Sequence, residues 1–451
     1  MKIVFGILFL AGLLCSCSVS RQVSRQANEL LINDSAIASG HIGISVYEPA
    51  AGKFWYNYNA DKNFIPSSNI KLFTLYAAMK RLGDSLVGVR YYDFGNNSME
   101  ILPTGDPTFL HPEFKNQPVY DFIKHSSANI NFNGCYWKEE RKGKGWAWDD
   151  YNSIFMTERS GFPIYGNLIK VFFKNDTLTS VPFVFGDIPF YTENWWETPN
   201  KLLPRLHRSN LPAKFLIKKL SEQYDAFGVY PSETEFRTTY IPMVIDGKKT
   251  IEILNDTIKP KNPVQYYLRS GGELPDVHTI HSQPTDSLLK PMMHRSDNFF
   301  AEQSLLMVSN ETLGYMSDEA IIDSLLKTDL KDLPQQPRWV DGSGLSRYNL
   351  ATPKSLVYLL QKIKNEFSWD RITTILPTGG EGTLKNYFKD ETGFIYAKTG
   401  TLSNNCALSG YLVTKKNKLL IFSILNNNYA TGATPVRRAV EKFLLQLREK
   451  Y

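Results

Sequence analysis

Pro66-Ser67-Ser68-Asn69-Ile70-Lys71 stands directly in front of Leu72, Leu75, Ala78 and Met79. Those apolar residues recur at helical spacing, so the phrase opens an amphipathic helix. Ser68 and Lys71 are one helical turn apart, which brings both side chains to one face. A lone serine at a helix start is usually an N-cap, so the pair gains meaning only from its surroundings. In front of it, Ile42, Ile44, Val46 and Tyr47 lie in a strand-like stretch. Glu48-Pro49-Ala50-Ala51-Gly52 is a turn, and Phe54, Trp55 and Tyr56 begin a second strand. This reads as a hairpin feeding a helix. The other end of the chain is alike in kind. Strand-like stretches over 393–397, 407–413 and 419–425 precede a helix with Val436, Val440, Phe443, Leu444 and Leu447 on one face. One sheet built from both ends would set the termini side by side.

Between them the chain changes character. Residues 84–280 are rich in aromatics, proline and short strand-like runs such as Leu168 to Phe173. They read as an inserted domain or domains. Residues 36–83 and 281–451 would then form the principal domain. Helical patterning resumes near 285 with Leu288, Leu289, Met292 and Met293.

The first residues read as a targeting segment. Lys2 precedes an apolar run from Ile3 to Leu14, of signal-peptide length and shorter than the roughly 20 residues of a spanning helix. Leu14 and Ser16 before Cys17 resemble the lipobox of bacterial lipoproteins, which implies a leader over 1–17, a lipid on Cys17 and membrane attachment. An ordinary secretory signal is the alternative. Ser18 at the next position favours the outer membrane by the same analogy. Residues 18–35 read as a polar tether running into a first helix. The chain is therefore expected to be exported and periplasmic.

Composition narrows the partners. The net charge of +6 is spread without a block of like charge, which does not point to nucleic acid. Beyond the leader only Cys135 and Cys406 remain, enough for one disulfide or two buried thiols. His278 and His281 form an HxxH pair inside an alternating stretch, better explained by a strand surface than by zinc. Neither a metal nor a cofactor is expected.

The chemistry-bearing motifs are weak singly. Ser-x-x-Lys occurs at Ser68, Ser287 and Ser324, and Ser-x-Asn at Ser67, Ser127, Ser296 and Ser403. Lys398-Thr399-Gly400 occurs once, near the end of a strand, where the bland reading is a turn with glycine at positive φ. Context selects among the repeats. Only Ser68 comes just after a proline, two positions past Pro66, and opens an apolar helix behind a hairpin, and only Ser296 has Asp in the middle of its triplet.

Taken in order, Ser68-x-x-Lys71, Ser296-Asp297-Asn298 and Lys398-Thr399-Gly400 resemble the motif set of penicillin-recognising serine enzymes. Longer phrases narrow the likeness. Asp341-Gly342-Ser343-Gly344-Leu345-Ser346-Arg347-Tyr348-Asn349-Leu350, Gly379-Gly380-Glu381-Gly382-Thr383-Leu384, Gly145-Trp146-Ala147-Trp148-Asp149-Asp150 and Gly105-Asp106-Pro107-Thr108 resemble the low-molecular-mass class C penicillin-binding proteins. The resemblance covers essentially the whole chain past the leader. It implies an α+β penicillin-binding, serine β-lactamase-like fold: an antiparallel five-stranded sheet with helices on both faces, an all-helical lobe, and a large mainly-β insertion. It implies a serine-type D-Ala-D-Ala carboxypeptidase, with endopeptidase action as an extension, working on peptidoglycan stem peptides and inhibited by β-lactams.

Residue chemistry fits that expectation. A serine attacks an amide only with a base beside it, and a lysine serves as base only if burial or a neighbouring cation lowers its pKa. Lys71 is the candidate base for Ser68, and Lys398 the candidate cation. By resemblance, Ser296 relays a proton to the leaving amine and Asn298 holds Lys71. The N–H groups of Ser68 and Thr401 form the oxyanion hole. The strand edge over Lys398, Thr399, Gly400 and Thr401 can pair with an extended peptide, and Lys398, Thr399 and Thr401 are expected to meet its terminal carboxylate. Asp150 and Arg347 reach the cleft as substrate readers, against bland readings of a helix N-cap and a structural salt bridge. The tryptophans read as core of the insertion. Two other classes stay open: a non-catalytic wall-binding protein on this fold, and a β-lactamase or esterase.

Overall fold

The computed structural model describes residues 19–151, 153–174, 177–182, 188–189, 238–269 and 274–451. A helix over 19–27 (α1) leads through a π-helical turn at Asn28–Ile32 to the front hairpin, β1 (His41–Glu48) and β2 (Lys53–Tyr58). A 3-10 turn at Ser67–Ile70 then opens α2 (Lys71–Arg81). The middle holds β3 (Ser85–Asp93), β4 (Ser98–Pro103), α3 (Pro118–His125), β5 (Asn129–Asn133), β6 (Leu168–Lys174), β7 (Thr177–Val181), β8 (Ile188–Pro189), β9 (Thr238–Pro242), α4 (Gly247–Ile258), β10 (Gln265–Tyr267) and β11 (Val277–Pro284). After it come α5 (Thr285–His294), α6 (Asn298–Leu313), α7 (Asp318–Lys327), α8 (Pro353–Glu366) and α9 (Trp369–Ile375). The chain closes with β12 (Ile395–Leu402), β13 (Asn405–Val413), β14 (Leu419–Asn427) and α10 (Ala433–Lys450).

The two ends of the chain build one sheet in the order β12-β13-β14-β1-β2, every neighbour antiparallel. Register joins front to back, with Ile44 opposite Ile424. The two-residue period of each strand feeds two cores. Ala407, Tyr411, Ile421 and Leu425 face a helical lobe made of α2 and α5 to α9. Cys406, Leu408, Phe422, Ile424, Ile42 and Ile44 face α1 and α10. Because β14 is covered on both sides it reads as a continuous apolar run, Leu419 to Leu425, broken only by Ser423.

The tether expected over 18–35 is corrected by this packing. Val23, Ala27 and Leu31 are fully buried, and Gln22 accepts the Tyr451 hydroxyl at 3.0 Å. Their spacing gives α1 an apolar stripe, and polar residues between them conceal it in the sequence. Burial of such side chains contributes about 1.5–3 kcal/mol each for those the size of Val or Leu.

The middle segment has two sheets, β10-β5-β4-β3-β11 and β8-β7-β6-β9. Val89, Ile101, Ile130 and Phe132 pack against Val119 and Ile123 of α3 and Ile251 and Leu254 of α4. The boundary expected at 281 falls within β11, which pairs with β3 from Val277 to Pro284. Entry and exit of this region are thus neighbouring strands. His278 stacks on Tyr91 with ring centroids 5.0 Å apart, on that strand surface. Cys135 and Cys406 are both free thiols.

Candidate active site

The turn before α2 is pressed from two sides. Ser67 sits at φ +50°. A Cβ on Gly344 would lie 2.0 Å from the Ser67 carbonyl oxygen, and one on Gly400 would lie 2.7 Å from the Pro66 oxygen. Only glycine admits such approach. Asn69 Nδ2 donates to the Lys398 carbonyl at 2.9 Å, tying the turn to β12. The hydroxyl of Ser68 caps no helix. It lies 3.1 Å from Lys71 Nζ.

Lys71 is fully buried. Its Nζ also meets Asn298 Oδ1 at 2.6 Å and the Ser343 carbonyl at 2.7 Å. Both of those oxygens can only accept. A neutral amine satisfies them with its two hydrogens and keeps its lone pair for the Ser68 hydroxyl. The ammonium form donates to all three. The same cage therefore accommodates the lysine before and after it takes a proton.

Ser296-Asp297-Asn298 joins α5 to α6 with a separate task for each residue. Ser296 is at φ +61°. Asp297 is the N-cap of α6 and accepts from Phe300 N at 2.9 Å. Asn298 then points into the site, and its Nδ2 donates to the Phe155 carbonyl at 2.8 Å. That contact links the middle segment to the side of the fold that carries Ser68 and Lys71.

Lys398 is also fully buried, with Nζ 2.8 Å from Ser296 Oγ and 2.8 Å from the Thr399 carbonyl. β12 runs through Lys398-Thr399-Gly400 to Leu402, so the motif lies on a continuous strand and not in the turn of the bland reading, with Gly400 opposite Ala407. β12 is the sheet edge. Pro377 covers its first part by accepting from Ala397 N at 3.1 Å. The two-residue alternation turns the N–H groups of Thr399 and Thr401 to the same outer side.

Electrostatics separates the two lysines. Burial brings Lys71 down to about 8, while Asp341, Glu302 and Asp297 pull it up. Lys398 falls well below an ordinary lysine, through burial first and then through Lys71 and Arg437. Burial, one of the two expected causes, is the leading one at both lysines. Repulsion between two ammonium groups acts on both lysines, and Asp341, Glu302 and Asp297 offset it at Lys71.

Several residues of the site stand outside the three short motifs. Asp341, fully buried, accepts from Gly344 N, Ser346 N, Asn349 Nδ2 and Trp146 Nε1 at 2.6–3.0 Å. It shapes the loop whose Ser343 carbonyl holds Lys71. Glu302, one turn after Asn298 on α6, accepts from Ser343 N at 2.7 Å. Burial and Asp341 push its carboxyl up to about 7, against Arg159. Arg159, 1% exposed, pairs with Glu302, Asp318 and Glu139. A glutamate inside the apolar run of α6 was the available sequence signal.

The outlying candidates fare differently. Arg347 is exposed, makes no ion pair among the described residues, and its N–H approaches the Gly145 carbonyl at 3.4 Å. This brings the 145–150 phrase beside the Asp341 loop. Asp150 ends a 3-10 turn at Trp148–Asp150 and caps no helix. The tryptophan reading is corrected: Trp148 is 87% exposed and Trp146 bonds Asp341. Cys17 lies outside the described residues.

The model of the D-Ala-D-Ala carboxypeptidase 3 (S13) family matches residues 24–184 and 273–449. The chain belongs to this family. It is a serine-type D-Ala-D-Ala carboxypeptidase of the low-molecular-mass penicillin-binding kind. The D-alanyl-D-alanine carboxypeptidase DacB of Haemophilus influenzae is 25% identical over 425 residues, 83% of each chain. The D-alanyl-D-alanine carboxypeptidase of an Actinomadura species is 24% identical over 458 residues, 91% of this chain and 82% of the relative. Penicillin-binding protein 4 of H. influenzae superposes with a TM-score of 0.67 at 17% identity, over 95% of this chain and 99% of its own. That likeness shows the penicillin-binding fold, with its five-stranded sheet and insertion. The family acts on the cell wall, so the protein is exported. Among the described residues no helix is long and apolar enough to cross a membrane.

Proposed function

We propose that Ser68 is the nucleophile of this carboxypeptidase and Lys71 its base. The observation that carries the reading is the Lys71 cage, two carbonyl acceptors plus the Ser68 hydroxyl. As Oγ attacks the D-alanyl carbonyl, its proton passes to Lys71 Nζ. The N–H groups of Ser68 and Thr401 receive the oxyanion, each such donor being worth about 3 kcal/mol. Ser296, held by Lys398, gives a proton to the leaving D-alanine nitrogen, and the proton on Lys71 replaces it. Water then opens the ester, with Lys71 as base again and Ser68 regaining its hydrogen. Asn298 orients Lys71 and the substrate amide. An extended stem peptide pairs with the open part of β12, where Thr399, Gly400 and Thr401 lie. Asp150 and Arg347 read the far end of the stem peptide, a role supported by the contact between their two segments.

A β-lactam follows the same first step, and its leaving nitrogen stays tethered, which favours a long-lived ester. A solved structure of the H. influenzae protein holds a β-lactam. Endopeptidase cuts extend the chemistry to a D-alanyl bond formed with a neighbouring stem peptide. Lipidation of Cys17 would hold the face carrying α1 near a membrane, since that helix docks from residue 19, and would make the enzyme a periplasmic lipoprotein of the outer membrane. Labelled palmitate should be incorporated by the parent chain and not by Cys17→Ala.

The activity test uses purified pentapeptide muropeptides. The parent protein releases D-alanine and Ser68→Ala does not. Release by Ser68→Ala at the parent rate would remove the assignment.

A further inference from the structure

A D-Ala-D-Ala carboxypeptidase must hold a free C-terminal carboxylate, and Lys398 is poorly placed to supply the charge. Its Nζ is buried and engaged by Ser296 and the Thr399 carbonyl. A different cation stands at the end of the substrate strand. Arg437 of α10 donates through Nη2 to the Thr401 hydroxyl. Thr401 itself is exposed.

Arg437 has no carboxylate partner among the described residues. Glu441, one turn along α10, is taken by Arg438 at 2.5 Å and Phe388 N at 2.6 Å. Among the described residues its titratable neighbours are Tyr387, whose ring centroid lies 5.9 Å from the guanidinium carbon, Cys406 and the like-charged Lys398. Burial pushes the Cys406 thiol up, so it stays uncharged at neutral pH. Arg437 Nε is buried with no hydrogen-bond partner. A half-buried guanidinium without an anion has a standing electrostatic deficit, and an incoming carboxylate removes it. Arginine suits this work because its planar fork meets a carboxylate with two parallel hydrogen bonds.

We propose that Arg437 is a specificity-determining residue that binds the substrate's C-terminal carboxylate beside Thr401. The proposal rests on the Ser68 reading, since that reading sets the peptide along β12. It divides two tasks that the Lys-Thr-Gly motif alone would have to combine. Lys398 manages the proton at Ser296, and Arg437 carries the charge that recognises the acid.

The test compares a peptide ending in D-Ala-D-Ala with its C-terminal carboxamide. Both are assayed on the same sample of each variant, so the folded fraction cancels in the ratio of kcat/KM values. The parent enzyme should prefer the acid. Arg437→Ala should lose roughly tenfold to a hundredfold on the acid and little on the amide, as expected for a charged hydrogen bond. Arg437→Lys should recover part of the preference, and Arg437→Gln, which keeps shape without charge, should not. An unchanged ratio in Arg437→Ala or Arg437→Gln overturns the proposal, as does a parent enzyme that cleaves acid and amide equally. If the parent releases D-alanine without acylation at Ser68, the underlying reading fails instead, and the proposal with it.

Discussion

The side-chain amide of Asn69 reaches 2.9 Å across to the carbonyl oxygen of Lys398. Two motifs some 330 residues apart in the chain thereby share one hydrogen bond. The turn that carries Ser68 is thus tied directly to β12.

The pH response should be governed by Lys71. Burial holds its ammonium near 8, and acylation needs the free amine. The rate of acylation by a β-lactam should therefore climb about tenfold per pH unit below 8 and flatten above it. Stopped-flow acylation between pH 6 and 9 checks this. A rate that falls across that range would contradict the assignment of Lys71 as base.

Asn298→Asp should move that profile. It places a carboxylate where Asn298 Oδ1 now stands, 2.6 Å from Lys71 Nζ. An added negative charge favours the ammonium and raises the lysine's pKa. The rise in rate should shift to higher pH, with slower acylation at pH 7. The same stopped-flow series reads it directly.

Gly344→Ala should disable the site from outside the motifs. Its φ is +84°, and the new Cβ would meet the Ser67 carbonyl at 2.0 Å. The turn must shift, and misplacement of a nucleophile by about 1 Å costs about a hundredfold in rate. Acylation kinetics should show that loss, together with a lower Tm in a thermal melt.

Arg159→Leu should destabilise the fold by about 3–5 kcal/mol, because it leaves buried carboxylates without their cation. Glu302, Asp318 and Glu139 are those carboxylates. Lys327→Ala breaks an exposed pair with Asp323 and should leave stability nearly unchanged. Urea unfolding of the two variants side by side gives the comparison.

Legibility followed the length of the signal. Ser68, Lys71, Ser296, Asn298 and Lys398 could be singled out because their three short motifs stand in the order that resembles the penicillin-recognising serine enzymes, and helix and strand patterning chose among the repeats. The end-to-end sheet was readable from that resemblance and that patterning. The docking of α1 was hidden, since Val23, Ala27 and Leu31 are spaced among polar residues and their burial depends on α10, which lies at the far end of the chain. Asp341 stood in a quoted phrase, but its role and those of Glu302 and Arg159 were hidden for a different reason. Their work is to hold backbone atoms and one another, and no residue type announces a hydrogen bond to the amide of Ser343. Arg437 is one of two adjacent arginines on an amphipathic helix, and only the fold shows which of them faces Thr401.

Mass spectrometry of the protein after incubation with penicillin tests the central claim most directly. One covalent penicilloyl group per chain, mapped to the peptide containing Ser68 and lost in Ser68→Ala, is the predicted result. An adduct on another serine, or equal labelling of Ser68→Ala, would contradict it.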